Sequence, residues 1–197
     1  MRLSARFSKF IAALFFGVSA FATADASIIR YGSDLQAEAT GATGNGSVLV
    51  EYDDVEHTVR IFANWTGLTG LTSIAHIHCC TTTPLTGTAG VAVTPGTLPG
   101  FPVGLTAGTY VSPLIDLDLP ASFTPAFLTT FGGGTTAGAI SALLAGIESG
   151  TAYFNIHSTV FPAGEIRGFL HRVPEPSSLA LALLGVAALT GTLRRRR

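Results

Sequence analysis

The sequence predicts an all-β fold, and three observations support this class. Segments in which apolar and polar residues alternate recur along the chain, which is the pattern of strands with one buried face. Two pairs of these segments are separated by short turns, and such pairs form antiparallel hairpins. A helical repeat of apolar residues occurs in a single stretch. The predicted fold is therefore antiparallel β with one short helix.

Four segments of the N-terminal half are predicted strands because their apolar residues alternate with polar ones. They are Ser27–Leu35, Ser47–Tyr52, Thr58–Trp65 and Thr72–His78. A turn at Asp53–Asp54 joins the second to the third in a hairpin. In the fourth strand, Ala75 and Ile77 point to one face while His76 and His78 point to the other.

The middle of the chain has a less regular alternation of apolar and polar residues. Cys79–Tyr110 is rich in Thr, Gly and Pro, and segments of that length are functional or contain short strands. Leu114–Leu119 alternates and is predicted as a strand with its two aspartates on the polar face. Phe123–Phe131 is apolar but is interrupted by Pro125, which favours an edge segment of the sheet.

The single predicted helix precedes the last hairpin. Apolar residues recur at helical spacing from Ile140 to Ile147, with Thr136 as the N-cap and Gly150 as the stop signal. The hairpin covers Tyr153–Leu170, because an alternating first half is followed by a Pro-Ala-Gly turn and a returning strand.

Three motifs resemble those of one family. They are AHIH at Ala75–His78, YFNIHS at Tyr153–Ser158 and PAGEIRG at Pro162–Gly168. In this order they resemble the CHRD domain, a module named after chordin and common in bacterial secreted proteins, and the resemblance covers roughly residues 28–170. It implies an antiparallel Greek-key β-sandwich, immunoglobulin-like or superoxide-dismutase-like, over the predicted domain 27–172.

Residues 1–26 are predicted to be a secretory signal peptide. Basic residues precede the apolar run Phe10–Phe21, and Ala22-Thr23-Ala24 and Ala24-Asp25-Ala26 both have the small-x-small pattern of a cleavage site. Because the run is short for a membrane span, cleavage and export are expected rather than anchoring.

Residues 173–197 combine a short motif, an apolar run and a basic tail. Pro174, Glu175 and Pro176 precede the charge-free run Ser177–Leu193, which is near the lower length limit for crossing a bilayer, and Arg194–Arg197 should stay in the cytoplasm. This order is similar to the PEP-CTERM sorting signal of Gram-negative bacteria. The similarity implies a transmembrane helix that attaches the chain until an exosortase cuts near the motif, followed by release to the cell envelope, outer surface or extracellular matrix. A permanent tail anchor is the alternative.

The predicted domain is acidic, which bears on its partners. It contains ten acidic residues, four arginines and no lysine, a net charge of −6. Nucleic acid is excluded as a partner because phosphate binding needs clustered basic residues. The expected partners are the exosortase-type processing enzyme and extracellular polysaccharide or surface proteins.

His76, His78 and His157 form the candidate metal site. If their strands are neighbours, the three imidazoles can converge on one ion, and nitrogen ligands in this pattern suit zinc or, preferentially, copper. Glu165 is the candidate fourth ligand, and Arg167 would attract an anion. The pattern is similar to the copper site of copper,zinc superoxide dismutase, but no histidine lies between His78 and His157 to supply that enzyme's zinc ligands.

The same face has a structural interpretation as well. His76, His78 and Asn155 would satisfy one another and nearby backbone groups, with Glu165 and Arg167 paired beside them. Under this alternative no metal is needed.

Cys79 and Cys80 directly follow the second histidine, and three interpretations of this pair stay open. Cysteines usually pair in an oxidising compartment, although a bond between adjacent residues forms a strained ring. The other two are a soft metal ligand and a disulfide to another molecule. The ring is slightly favoured.

The sequence assigns no catalytic residue, because it contains no nucleophile elbow and no defined nucleophile–base pair. The favoured function is a non-enzymatic binding module of the envelope or matrix. The alternative is a copper-dependent oxidoreductase of superoxide-dismutase type.

Overall fold

The computed structural model describes residues 27–174. Within this range the chain forms a curled, ten-stranded antiparallel sheet with two α-helices and a short 3-10 helix at Pro120–Ser122. The strands are β1 (Ile28–Ala37), β2 (Asn45–Asp53), β3 (Thr58–Thr66), β4 (Thr72–His78), β5 (Val91–Val93), β6 (Gly108–Val111), β7 (Ile115–Asp116), β8 (Tyr153–Ser158), β9 (Ile166–Phe169) and β10 (His171–Arg172). The helices are α1 (Pro125–Thr130) and α2 (Thr136–Glu148). The predicted all-β, antiparallel class is confirmed.

Strand β1 joins the two halves of the sheet. The strand order is β5-β4-β8-β9-β1-β2-β3-β6, with β10 beside β1 and β7 beside β3. The first part of β1 pairs with β2, whereas Gln36 and Ala37 pair with β9. Because both halves contribute apolar side chains to one core, the curled sheet encloses it from two sides.

The alternation in β2 and β3 sets their register. Val50 pairs with Ile61. The residues of these strands that are buried alternate with residues that are not; they are Val48, Val50 and Tyr52 on β2 and Val59, Ile61, Ala63 and Trp65 on β3. Burial of one such aliphatic side chain contributes about 1.5–3 kcal/mol. A shift of one residue would turn this whole set to solvent, so the hairpin has one favourable register.

The prediction of an edge segment at Phe123–Phe131 is wrong for most of its length: Phe123 forms an isolated β-bridge with Val93 of β5, but Pro125–Thr130 form α1. Pro125 occupies the first helical position, where its missing N–H would have had no helical partner. The Thr124 hydroxyl accepts the Phe127 N–H at 3.2 Å and caps the helix. Proline therefore begins a helix here instead of ending a strand.

The predicted helix before the last hairpin is present as α2, with one correction at its start. Thr135, not Thr136, is the N-cap, because its hydroxyl accepts the Gly138 N–H at 3.1 Å. Gly150 follows the helix with φ of 69°, as expected of a residue that ends a helix in the left-handed region.

The middle of the chain differs from its prediction in one further place. Of the strand predicted at Leu114–Leu119, only Ile115 and Asp116 pair with β3, as β7. The long segment Cys79–Tyr110 does contain short strands, β5 and part of β6. It borders the edge of β4 that faces away from β8, where β5 pairs with Ile77 and His78 and the Leu98 N–H donates to the Ala75 carbonyl at 3.0 Å.

The two chain ends that carry the predicted targeting signals lie outside the described residues. These ends are the predicted signal peptide, residues 1–26, and the tail from Glu175 and Pro176 onward. From residue 27 to residue 174, no helix has the length and apolar character needed to span a membrane.

Candidate metal centre

Neighbouring strands bring the three candidate histidines together. His76 and His78 lie on β4, and His157 lies on β8, which pairs with β4 so that Ile74 is opposite His157 and His76 is opposite Asn155. The side chains occupy the face that points away from the core residues of both strands. All three are nevertheless buried, with 4%, 8% and 7% of their surface exposed. One ring nitrogen of each lies within 4.8 Å of the other two.

Hydrogen bonds to backbone carbonyls determine which nitrogen of each ring carries the proton. The bonds are His76 Nε2 to Gly96 O at 2.7 Å, His78 Nδ1 to Ala89 O at 2.9 Å, and His157 Nδ1 to Pro162 O at 2.9 Å. A carbonyl oxygen can only accept a hydrogen bond, so each of these nitrogens must carry a proton. In the neutral ring the other nitrogen is then a lone-pair acceptor.

The three remaining nitrogens face one another without a proton between them. His76 Nδ1 and His157 Nε2 lie 3.3 Å apart, and His78 Nε2 is buried with no hydrogen-bond partner. Burial lowers the pKa of all three imidazoles, to about 4 for His78, so at neutral pH the rings are uncharged. A cation bound between the rings would satisfy these buried lone pairs.

The spacing of the nitrogens can be compared with that of a metal site. Metal–nitrogen bonds of about 2.0–2.1 Å in tetrahedral geometry place two ligand nitrogens about 3.3 Å apart. The His76–His157 pair already has this separation. The other separations are no more than 4.8 Å, so a bound ion would require the rings to approach by at most about 1.5 Å.

Tyr153 and Arg167 border the histidines on the same face. The Tyr153 ring stacks on His78 with 4.8 Å between centroids and 2° between planes. Its hydroxyl accepts the Ala89 N–H at 3.2 Å, next to the carbonyl that holds His78. The Arg167 guanidinium lies 5.1 Å from the centre of the Tyr153 ring. Stacking on one side and a hydrogen bond on the other fix the orientation of His78.

The predicted ion pair between Glu165 and Arg167 is wrong. Arg167 instead pairs with Glu38 at 3.2 Å and donates to the Gly87 carbonyl at 2.6 Å. Glu38 directly follows β1, far away in sequence, and nothing in the local pattern indicated its role.

The carboxylate of Glu165 has its own partners. Its oxygens accept the backbone N–H groups of Thr69 and, at 3.2 Å, Gly70, in the connection between β3 and β4. The side chain is completely buried. The structure therefore does not bring this candidate fourth ligand to the histidines; among residues 27–174 they form a group of three.

Asn155 lies among the histidines but is not hydrogen-bonded to them. Its amide nitrogen donates to Glu38 Oε2. Its amide oxygen is buried and has no partner. The predicted network of His76, His78 and Asn155 is thus formed only in part, because the histidines are satisfied by backbone carbonyls and Asn155 by Glu38.

Cys79 and Cys80 are bonded to each other in a disulfide. Gly146 of α2 lies against this bond, and a Cβ at that position would overlap the sulfur of Cys79. Both sulfurs are used within the pair, so in this state neither is a metal ligand or a link to another molecule.

The described residues thus form a curled antiparallel sheet in which an H-x-H strand lies beside a second strand with a histidine. The CHRD domain family matches residues 31–170, and the chain is a member of that family. The tail, residues 172–197, matches the PEP-CTERM protein-sorting motif. Searches of curated proteins and of solved structures found no match.

The sorting motif supplies the cellular context. It implies processing by an exosortase and a secreted, envelope-associated protein of a Gram-negative bacterium. The motif begins at Arg172, inside β10, and Pro174 is the last described residue. Neither family description names a metal or another ligand.

Proposed function

We propose that this protein is a metal-binding module of the cell envelope that holds one copper(II) ion between His76, His78 and His157. One observation carries the proposal: each ring donates its proton to a backbone carbonyl, which leaves one unprotonated nitrogen on each of three buried rings that each offer a ligand nitrogen within 4.8 Å of the others. A purely structural network would use these nitrogens as hydrogen-bond acceptors. Here His78 Nε2 accepts no hydrogen bond. His76 Nδ1 and His157 Nε2 are in contact, but in neutral rings neither of these nitrogens carries a proton that could form a hydrogen bond between them.

The donor set selects the class of metal. Three neutral imidazoles with no carboxylate in the group are poor ligands for Mg²⁺ and Ca²⁺, which prefer oxygen. Imidazole suits copper and zinc, and for a given nitrogen site copper(II) is bound most tightly among the divalent first-row ions. Zinc is therefore the expected competitor.

Binding is a better-supported role than turnover. The rings are buried beneath the segment between β4 and β6, which also supplies the carbonyls of Ala89 and Gly96. The dismutase considered above also has a zinc site with further histidines, whereas among residues 27–174 the group has three histidines only. Polysaccharide and surface proteins stay predictions from the sequence, and a metal held in the envelope is compatible with either.

Metal content of the purified protein tests the proposal. The full-length chain, kept in mild detergent, is loaded with copper(II) or zinc, washed extensively, and measured by mass spectrometry against protein concentration. We expect one copper per chain. The double variant His76→Ala, His157→Ala is expected to retain none, while circular dichroism checks that it is folded.

His171→Ala is the matched control, since it removes an exposed histidine of β10 that is not part of the group. It should retain one copper per chain. A folded wild-type chain without bound metal would refute the proposal, and so would full retention by the double variant.

A further inference from the structure

Two buried acceptors without a partner lie on the same face of the sheet. They are His78 Nε2 and the amide oxygen of Asn155, two of the three buried side-chain atoms left unpaired within residues 27–174. His78 commits its proton to Ala89, and Asn155 commits its amide group to the Glu38 carboxylate. Two acceptors cannot satisfy each other, so each needs a partner beyond the described side chains: a donor for the amide oxygen, and a donor or a cation for the ring nitrogen.

Asn155 lies next to two of the three histidines on the same face of the sheet. It is opposite His76 across the β4–β8 pair, and it is two residues from His157 along the same face of β8. Side chains in such opposite positions are about 4.5–5.5 Å apart at Cβ. Only 1% of Asn155 is exposed, so bulk water does not satisfy its oxygen.

Glu38 and Arg167 fix the orientation of the Asn155 amide. Glu38 Oε2 accepts from the amide nitrogen, while Glu38 Oε1 pairs with Arg167 at 3.2 Å. A carboxylate can only accept, so the amide nitrogen must face Glu38 and the amide oxygen is the free end.

We infer that the metal ion keeps a water molecule as its fourth ligand and that this water donates a hydrogen bond to the Asn155 amide oxygen. The inference rests on the proposed function, because it needs an ion in the three-histidine site. The ion takes the lone pair of His78 Nε2, and its water supplies the donor that Asn155 lacks. Both unpaired atoms are satisfied at once.

A bound water is favoured over direct ligation by the amide oxygen. Copper and zinc prefer the nitrogen ligands already present, and an amide oxygen is a weak ligand for them. Water on a cation is a strong hydrogen-bond donor because the charge polarises its O–H bonds. The site is thus a three-ligand centre with one exchangeable position, open to small anions, rather than a closed structural site.

The test uses the copper(II)-loaded, full-length chain. Electron paramagnetic resonance in ¹⁷O-enriched water should broaden the copper lines, because a coordinated oxygen couples to the metal. Azide then serves as a probe, since it displaces the water and cannot donate a hydrogen bond to Asn155. In Asn155→Leu there is no hydrogen bond to break, so azide should bind about fivefold more tightly than in the wild type.

Asn64→Leu is the control, because it makes the same substitution at an exposed position of β3, a strand that carries none of the three histidines. It should retain the wild-type azide affinity. One copper per chain without ¹⁷O broadening would overturn the inference and leave the metal site intact. Equal azide affinity in the wild type and in Asn155→Leu would also overturn the inference. Absence of bound copper would overturn the proposed function together with the inference. The ¹⁷O measurement needs only the wild type, so it decides even if Asn155→Leu does not fold.

Discussion

Replacement of Glu165 should destabilise the domain more than replacement of any surface acid. This side chain is fully buried, and its carboxylate accepts the N–H groups of Thr69 and Gly70 in the β3–β4 connection. Its backbone carbonyl accepts the Glu38 N–H, and its own N–H donates to Ile156, both at 2.8 Å. One residue therefore ties the β3–β4 connection, the end of β1 and strand β8 together.

The cost of losing this carboxylate can be worked out from its bonds. Hydrogen bonds to charged groups contribute about 1.5–3 kcal/mol each, so Glu165→Ala, which removes two, should lower the free energy of unfolding by about 3–6 kcal/mol. The Gly70 N–H would also be left buried without a partner. Glu165→Gln keeps one accepting oxygen but turns its amide NH2 toward the second N–H group, so it should also destabilise the domain, by at least about 1.5–3 kcal/mol for the bond it loses. Typical domains have only about 5–15 kcal/mol of total stability.

Equilibrium unfolding in urea, followed by circular dichroism, measures both variants. Glu51→Gln is the control, because Glu51 pairs with Arg30 at 2.9 Å in a partly exposed position where an ion pair contributes about 0.2–1 kcal/mol. If Glu165→Ala lowers the free energy of unfolding by no more than Glu51→Gln does, the reasoning about the buried carboxylate is wrong.

Three further predictions concern pH, packing and processing. Titration of His78 alone should lower the free energy of unfolding of the metal-free protein by about 3 kcal/mol between pH 6.5 and pH 4. The pKa of His78 is about 4 in the fold, so the unfolded chain binds more protons than the folded one in this range. Urea unfolding at both pH values measures the loss, and an equal free energy of unfolding at the two would contradict the prediction. Gly146→Ala should lower the melting temperature, at a cost of about 1–3 kcal/mol, because its Cβ would overlap the sulfur of Cys79; an unchanged melting temperature would show that α2 can move away. Glu175→Ala should leave an uncleaved, membrane-retained form on an immunoblot, and unchanged processing would count against sorting through the motif.

The strands of the first hairpin could be predicted because their burial follows from local alternation. Val50 and Ile61 point into the core from neighbouring strands, as the period of two requires. Helix α1 could not be predicted, because Pro125 is equally compatible with an edge strand and with the first turn of a helix. Only the cap at Thr124 distinguishes the two, and its signal is weak in the sequence.

The histidines could be predicted as a group, but their burial could not. Alternation in β4 indicates that His76 and His78 face away from the core, which is correct, and such a face is usually solvated. Here the segment between β4 and β6 covers it and supplies two of the three carbonyls that orient the rings. The partnership of Glu38 with Arg167 is equally non-local, since β1 and β9 meet only in the folded sheet.

X-ray absorption at the copper edge of the loaded, full-length protein tests the central claim most directly, because it counts the ligands of the ion. The account predicts three imidazole nitrogens at about 2.0 Å and no sulfur, from His76, His78 and His157. Fewer than three imidazoles, or a sulfur at about 2.3 Å from Cys79 or Cys80, would contradict it.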